Sequence, residues 1–455
     1  MTAYLIESLA TTDTMAQIFS DESVLRAMLD FEIALAGVEA RLEIIPQWAA
    51  EVISRAAQVE NFDTAALAHA SLRAGTPGIP LAKALTERVR VIDPRAAGYV
   101  HWGATSQDVV DTALILLLKQ AQPVLQSDLA TLDHALVRIS QQHAETVMLG
   151  RTLMQAAPPV TFGLKAAGWL AMIRRGCAHL ESDFGEALLL QFGGAVGTLS
   201  ALGDKGIEIS RILADKLGIA CPDAPWHTHR DRLAVLVCSL GVLTGTLGKM
   251  ARDVSLLMQN EVGEVAEAGG EGRGGSSTMP HKRNPIGCTL TLAAANRLPG
   301  LVASFLSGMI QENERGVGGW QAEWSTVSAV VQAAGLAASS MAEVAEGLTV
   351  DTERMQENIA ATCGAVFAER AMILLGSALG RDAAHSILEQ ASRRCAQQKR
   401  HLADVLGDMP EVTAHLDAAA IRDLEDPKQY LGVAESFRRR LLAADQLSTP
   451  GTERK

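Results

Sequence analysis

From Gly269 to Pro285 the chain reads Gly269-Gly270-Glu271-Gly272-Arg273-Gly274-Gly275-Ser276-Ser277-Thr278-Met279-Pro280-His281-Lys282-Arg283-Asn284-Pro285, five glycines ahead of a serine, a lysine and an asparagine. Glycines let a backbone take positive φ and approach a ligand closely. The amides of such a loop can hold the oxygens of an aci-carboxylate, the species formed when a proton leaves the carbon beside a carboxylate. Lys282 adds a full positive charge and Asn284 an amide donor. A bare hydroxyl is a poor base at neutral pH, so Ser276 acts as one only where cations or amides stabilise its alkoxide. The chemistry this set suits is addition to, or elimination from, a carboxylate-activated carbon. A flexible surface loop ending in a Pro-marked helix start is the plainer reading of most Gly-rich segments. The length and composition of the whole motif set this one apart.

Other segments offer supporting donors. His101-Trp102-Gly103-Ala104-Thr105-Ser106-Gln107-Asp108 precedes a long apolar pattern. Thr105 and Ser106 present hydroxyls to a carboxylate, and Asp108 can cap the helix starting there. Alone, this would be a capping turn, and a lone histidine such as His101 is more often packed or on the surface than catalytic. Gly150 to Gly163 places Thr152, Gln155 and Thr161 as uncharged donors, and by spacing alone it is a loop. In Trp226-His227-Thr228-His229-Arg230-Asp231-Arg232 the H-x-H spacing has no carboxylate or cysteine cluster beside it, so no metal is expected. Arg230 is better read as a carboxylate clamp, or otherwise as part of a solvated helix start. Glu314 and Arg315 stand near Trp320 and Trp324, in a pocket wall or in core.

The elements that must position these residues read as helices. Aromatics are only 4% and no proline falls between Gly300 and Met409, which favours an all-α fold. Leu233, Leu236, Val237, Leu240, Leu243, Leu247, Met250, Val254 and Leu257 recur every three or four residues, predicting one helix of several turns. Leu114, Leu117, Leu118, Ala121, Leu125, Leu129, Leu132, Leu136 and Ile139 predict another, bent at Pro123. Further candidates run from Gly163 to Leu190 and from Trp320 to Leu348. Boundaries fall at Asp93-Pro94-Arg95 and at a helix cap near Thr349-Val350-Asp351, giving residues 1–110, a central bundle 111–348, and 349–455.

Composition narrows the function class. Hydrophobic residues reach 48% over 455 residues, enough for a large core. The uncharged windows Leu233 to Gly248 and Trp324 to Ala342 carry Ser, Thr and Gly, and read as buried helices rather than membrane spans. A net charge of −12 disfavours nucleic acid and anionic membrane, so an anionic substrate needs local cations such as Arg273, Lys282 and Arg283. Six cysteines without a C-x-x-C pair fit a reducing compartment. The first residues lack a basic start followed by an apolar block, so the expected address is the cytoplasm.

Taken together, Gly275 to Pro285 with His101 to Asp108 and Gly150 to Gly163 resemble the fumarase/aspartase superfamily, whose signature loop is G-S-S-x-M-P-x-K-x-N-P. The resemblance implies a three-domain all-α subunit with a central bundle of long helices. It also implies a homotetramer whose active sites are shared between subunits, and no cofactor or metal. By the same likeness Ser276 is the proton-transfer serine, with His101 a neighbouring candidate, and Lys282 and Asn284 hold a substrate carboxylate. Thr105, Ser106 and Gln107 hold another, with Thr152, Gln155, Arg230 and Arg315 as further substrate contacts.

Two departures bear on the subfamily. Most members have a histidine where this chain has Leu153, and a glutamate where it has Thr289. That pair handles the leaving group in the lyases. An amine or hydroxide needs a proton as it departs, whereas a carboxylate, with a pKa of about 4, leaves unaided at neutral pH. An enzyme that makes and breaks a lactone C–O bond moves only a carboxylate. The expectation is therefore a lactonising member acting on a small tricarboxylate in aromatic catabolism. The alternatives are an elimination like that of adenylosuccinate lyase, releasing fumarate, and a non-enzymatic member of the fold.

Overall fold

The computed structural model describes residues 5–269 and 282–444. Among these, six helices have 21 residues or more: α1 (Asp21–Arg41), α2 (Ser106–Gln142), α3 (Phe162–Ala187), α4 (Asp231–Leu257), α5 (Ile286–Gly308) and α6 (Gly319–Glu346). Each follows an apolar stripe of helical period. In α4 the residues Leu233, Leu236, Val237, Leu240, Leu243, Leu247, Met250 and Val254 are all buried, as the spacing predicts. Helix α2 runs on through Pro123, which removes one backbone hydrogen bond and costs about 3 kcal/mol. Burial of Leu118, Ala121, Leu125 and Leu129 on both sides of it offsets that cost.

By contacts the chain forms two compact units. One comprises Met1–Leu129, Gly176–Gly248 and Leu290–Ser340; the other Ala130–Arg175, Lys249–Thr289 and Met341–Lys455. In the first unit α1 starts on a Ser20 cap, whose hydroxyl accepts from the Ser23 amide at 3.3 Å. It buries Leu25, Leu29, Phe31, Leu35 and Val38, and with them two acids, Glu32 and Glu39.

The second unit contains the segment expected to be a loop, and there the chain makes a hairpin instead. Strands β1 (Val147–Thr152) and β2 (Gln155–Thr161) pair antiparallel, with Thr152 opposite Gln155. The two residues between them, Leu153 and Met154, take φ of 49° and 66°, the two-residue turn that suits a twisted hairpin. Such turns usually recruit Asn and Gly, so this sequence carries no hairpin signal. Gly150 is needed because a Cβ there would lie 2.4 Å from the Pro158 carbonyl oxygen. Strands β3 (Val265–Ala266) and β4 (Thr349–Val350) form a second, minimal pair. Asp351 then caps α7 (Thr352–Ala360) by accepting from the Arg354 amide at 2.9 Å. Beyond it α8 (Ala368–Leu379) and α9 (Arg381–Gln398) share a core of Ala371, Leu375, Ala384, Leu388 and Ala391.

The uncharged windows lie in α4 and α6, where 56% and 72% of the most apolar stretch is buried inside the chain. In α5 the corresponding share is 28%, so this helix turns much of its apolar surface outward.

Candidate active site

In the first unit the site is built around the N-terminus of α2. Thr105 is the residue before the helix, and Asp108, in the first turn, accepts from the Thr105 amide at 3.0 Å, the backward half of a capping box. The same buried carboxylate accepts from the Gly193 and Gly194 amides at 3.0 and 2.9 Å, from Gln191 Nε2 at 3.1 Å, and meets His227 Nε2 at 2.9 Å. Gly194 has φ 68°, a conformation that turns its amide toward Asp108 at little steric cost. Asp108 is therefore the peg on which three segments hang.

One turn further, Asp111 and Glu323 enclose Arg230. Its guanidinium donates to Asp111 through Nη1 and Nη2 at 2.8 and 3.2 Å, and to Glu323 through Nη2 and Nε at 2.6 and 2.9 Å. All three side chains are fully buried. Trp320 Nε1 and Gln107 Nε2 also donate to Asp111, and Gln107 donates to the His227 carbonyl at 2.7 Å. One cation facing two acids leaves an excess negative charge. Desolvation accordingly pushes the Glu323 carboxyl up to about 6, against the pull of Arg230 and Gln311. Arg230, expected to clamp a substrate carboxylate, spends its guanidinium on two internal ones. Gln107, expected to bind substrate, is fully buried, with its Nε2 taken up by Asp111 and the His227 carbonyl and its Oε1 without a partner among the described residues.

Arg315 is placed differently. Its Nη1 donates to the Thr105 hydroxyl at 2.9 Å, and its Nε is buried with no partner among the described residues. Among those residues no carboxylate lies within ion-pair distance. Burial lowers its pKa, with Asp108 and Asp111 opposing from further away. This leaves a guanidinium without a carboxylate partner beside Thr105 and the half-buried Ser106, at the positive end of a 37-residue helix, so positive charge and hydroxyl donors meet there.

His101 stands four residues before Thr105 in the left-handed region, φ 59°, a conformation that costs a non-glycine residue about 1 kcal/mol or more. Its Nδ1 lies 2.6 Å from Glu32 Oε1. Burial disfavours the imidazolium, but the Glu32 carboxylate, the hydrogen bond to it and Asp108 outweigh that and raise the pKa of His101.

In the second unit the hairpin sets Thr152 and Gln155 side by side at an exposed tip, with Leu153 97% exposed between them. Next to the tip, Arg151 forks onto buried Glu264 at 2.9 and 2.7 Å, while Asn358 donates to the same carboxylate at 2.8 Å. Lys282 is exposed and Asn284 half-buried on the stretch that enters α5. That helix start is held by Glu267, which accepts from the Gly287 and Cys288 amides, each at 3.0 Å. Burial, reinforced by Glu267, pushes the Cys288 thiol well up and makes it inert. Ser276 lies outside the described residues.

A family model described as lyase matches residues 7–300, well over half the chain, and one described as adenylosuccinate lyase C-terminus matches residues 364–441. The chain belongs to the fumarase/aspartase superfamily of lyases. It is 46% identical to the 3-carboxy-cis,cis-muconate cycloisomerase of Pseudomonas aeruginosa, over 94% of each chain. The solved 3-carboxy-cis,cis-muconate lactonizing enzyme of Pseudomonas putida superposes with a TM-score of 0.91 at 44% identity, covering 97% of this chain and 99% of that one. A nitrosuccinate lyase of Streptomyces davaonensis is 41% identical over 95% of this chain and 92% of its own.

For a member of this superfamily the two departures sit in plain positions. Leu153 occupies the hairpin tip, and exposed Thr289 turns its hydroxyl back onto the Pro285 carbonyl at 2.7 Å. What the sequence reading missed are the acids beneath the site: Glu32, Asp111, Glu264, Glu267 and Glu323. Glu32 had a usable signal, since it falls on the apolar face of α1 beside Phe31 and Leu35, where a charge needs a partner.

Proposed function

We propose that this protein catalyses the cycloisomerisation of 3-carboxy-cis,cis-muconate to a carboxymuconolactone in protocatechuate catabolism, without metal or organic cofactor. The observation that carries the reading is near-full-length likeness to cycloisomerases of that substrate in a chain that holds Leu153 and Thr289. Lactonisation asks for no acid on the moving carboxylate.

A substrate carboxylate oxygen bonds to the far carbon of a conjugated double bond, and the π pair moves into the neighbouring carboxylate as an aci-carboxylate. A proton then joins the α-carbon and the pair returns. A trianion becomes a dianion, so one proton is taken up from solvent per turnover and an enzyme group must relay it. Ser276 or His101 delivers that proton. Arg315 with Thr105 and Ser106 binds one substrate carboxylate, while Lys282 and Asn284 bind another. Thr152 and Gln155 are further contacts presented by the hairpin. Because the nucleophile is tethered, selecting its reactive conformer replaces much of a bimolecular entropy cost, where effective molarities reach about 10⁵ M.

The protein acts as a soluble cytoplasmic homotetramer with sites completed between subunits. The outward apolar surface of α5 supports association, since so long an apolar face is rarely left to water. Incubating purified protein with 3-carboxy-cis,cis-muconate, following its ultraviolet absorbance together with the acid needed to hold the pH in a pH-stat, tests the reading. One proton consumed per substrate lost is the expected result.

The 41% identity to a nitrosuccinate lyase favours one second reading, elimination from nitrosuccinate. It obeys the same physical logic, because nitrite too is stable as a free anion. Nitrite production with no loss of carboxymuconate would decide for it.

A further inference from the structure

Glu32 and Glu39 lie seven residues apart on one face of α1, both almost wholly buried. The two acids differ in what meets them. Glu32 touches His101 Nδ1 at 2.6 Å, whereas neither oxygen of Glu39 has a hydrogen-bond partner among the described residues. Desolvation, reinforced by the charge of Glu32, pushes the Glu39 carboxyl up to about 9, so at neutral pH it is uncharged. Of the two buried acids of α1, only Glu32 is set against a partner, the imidazole of His101.

The ring has a free edge. A carboxylate has no proton to give, so Nδ1 must be the donor in this contact and Nε2 is the nitrogen left for other work. Among the described residues His101 makes no second hydrogen bond through its ring. The strained backbone at His101 stands four residues before Thr105, whose hydroxyl accepts from Arg315. We propose that Glu32 is a positioning residue for His101, fixing the imidazole with Nδ1 as donor so that Nε2 presents the proton the aci-carboxylate carbon receives. This rests on the reading that His101 delivers protons in the lactonisation. The charged groups acting on the ring are Glu32 from α1 and Asp108 from α2, and Asp108 itself faces His227 and Arg315. Glu32 is the one in contact.

The sign of the effect is fixed. A proton donor works only below its own pKa, so activity falls as pH rises through it. Removing the Glu32 charge while keeping an acceptor, Glu32→Gln, lowers the pKa of His101 and moves that fall to lower pH by about one unit or more. It also lowers kcat/KM by about 10- to 100-fold, the size seen when a partner that orients a histidine is removed. Glu32→Asp, which keeps the charge at a longer reach, recovers part of both losses. Glu39→Gln replaces a neutral acid by a neutral amide and leaves the profile where it was below pH 8.

The experiment is the pH profile of kcat/KM for these variants and His101→Gln, with nitrogen-15 NMR of histidine-labelled wild-type protein, the His101→Gln spectrum assigning the ring. The expected spectrum has the Nδ1–H form and a pKa above the ordinary histidine value. An Nε2–H ring with an ordinary pKa overturns the inference even where Glu32→Gln fails to fold. If His101→Gln is as active as wild type, the assignment of His101 to proton delivery is wrong. If His101→Gln is impaired while the profile of Glu32→Gln stays in place, only the role of Glu32 is wrong.

Discussion

Arg315 donates to the Thr105 hydroxyl at 2.9 Å and meets no carboxylate among the described residues, whereas Arg230, in the same unit, is enclosed by two. The two cations were equal candidates for substrate in the sequence, and their surroundings part them. Arg230 neutralises the interior, and Arg315 has charge to offer a ligand.

Replacing Arg315 should therefore act on binding. Arg315→Met removes one charge-assisted contact, worth about 1.5–3 kcal/mol, or roughly a 10- to 100-fold loss of kcat/KM carried mainly by KM. Arg315→Lys keeps a point charge without the fork and should fall between. Steady-state kinetics at constant ionic strength measure this, and an unchanged KM in the Met variant would remove Arg315 from the substrate site.

Arg230 should behave in the opposite way. Arg230→Met strands Asp111 and Glu323 in a dry interior, and breaking a buried pair on one side costs about 3–5 kcal/mol. Urea denaturation at pH 7.5 reads the loss. The deficit should shrink as pH falls toward 5, because the stranded carboxyls take up protons in the folded state more readily than in the unfolded chain. A variant as stable as wild type at pH 7.5 would show that the cluster is not an ionic keystone.

The helices of this protein were legible because a period of three or four apolar residues persists over many turns, as Leu233 to Leu257 illustrates. The hairpin at 147–161 was not, since Leu153 and Met154 fill turn positions that ordinarily call for Asn and Gly, and tertiary context overrides local preference there. Among the candidate site residues, chemistry-bearing types at a helix start pointed to Thr105, Ser106 and His101. Whether Arg230 faces inward or outward depends on acids 119 residues earlier and 93 later, which no local spacing encodes. The same holds for Glu32, 69 residues before its histidine.

Ser276→Ala tests the loop itself. If the serine relays the proton, turnover drops by about 10²–10⁴-fold, the range of a positioned acid or base, while the oligomer stays intact by light scattering. A near-normal rate would leave His101 as the donor.

Glu39 supplies a thermodynamic test. Its folded pKa of about 9 stands above the ordinary 4.5, so the folded protein holds a proton that the unfolded chain releases. Its contribution is fully favourable below about pH 4.5 and is lost as pH rises toward 9, by the linkage of pKa to stability. Glu39→Gln escapes that loss, so it should raise Tm relative to wild type by more at pH 8 than at pH 5. A Tm difference that does not vary with pH would mean the carboxyl is charged or hydrated.

Restoring the residue of the lyases at the hairpin tip tests the leaving-group argument directly. Leu153 is exposed at φ 49°, a conformation histidine tolerates better than leucine, so Leu153→His should fold at least as well. In a lactonisation the oxygen that moves is a carboxylate, already stable as an anion, and a new acid near it has nothing to neutralise. The rate with carboxymuconate should stay within about threefold of wild type, less than 1 kcal/mol in the barrier. The double change Leu153→His with Thr289→Glu, which returns both members of the pair, should behave alike. A gain of tenfold or more in either variant would mean that the moving oxygen carries a charge the native protein fails to stabilise, and the absence of the pair would then be a defect rather than a fit to the chemistry.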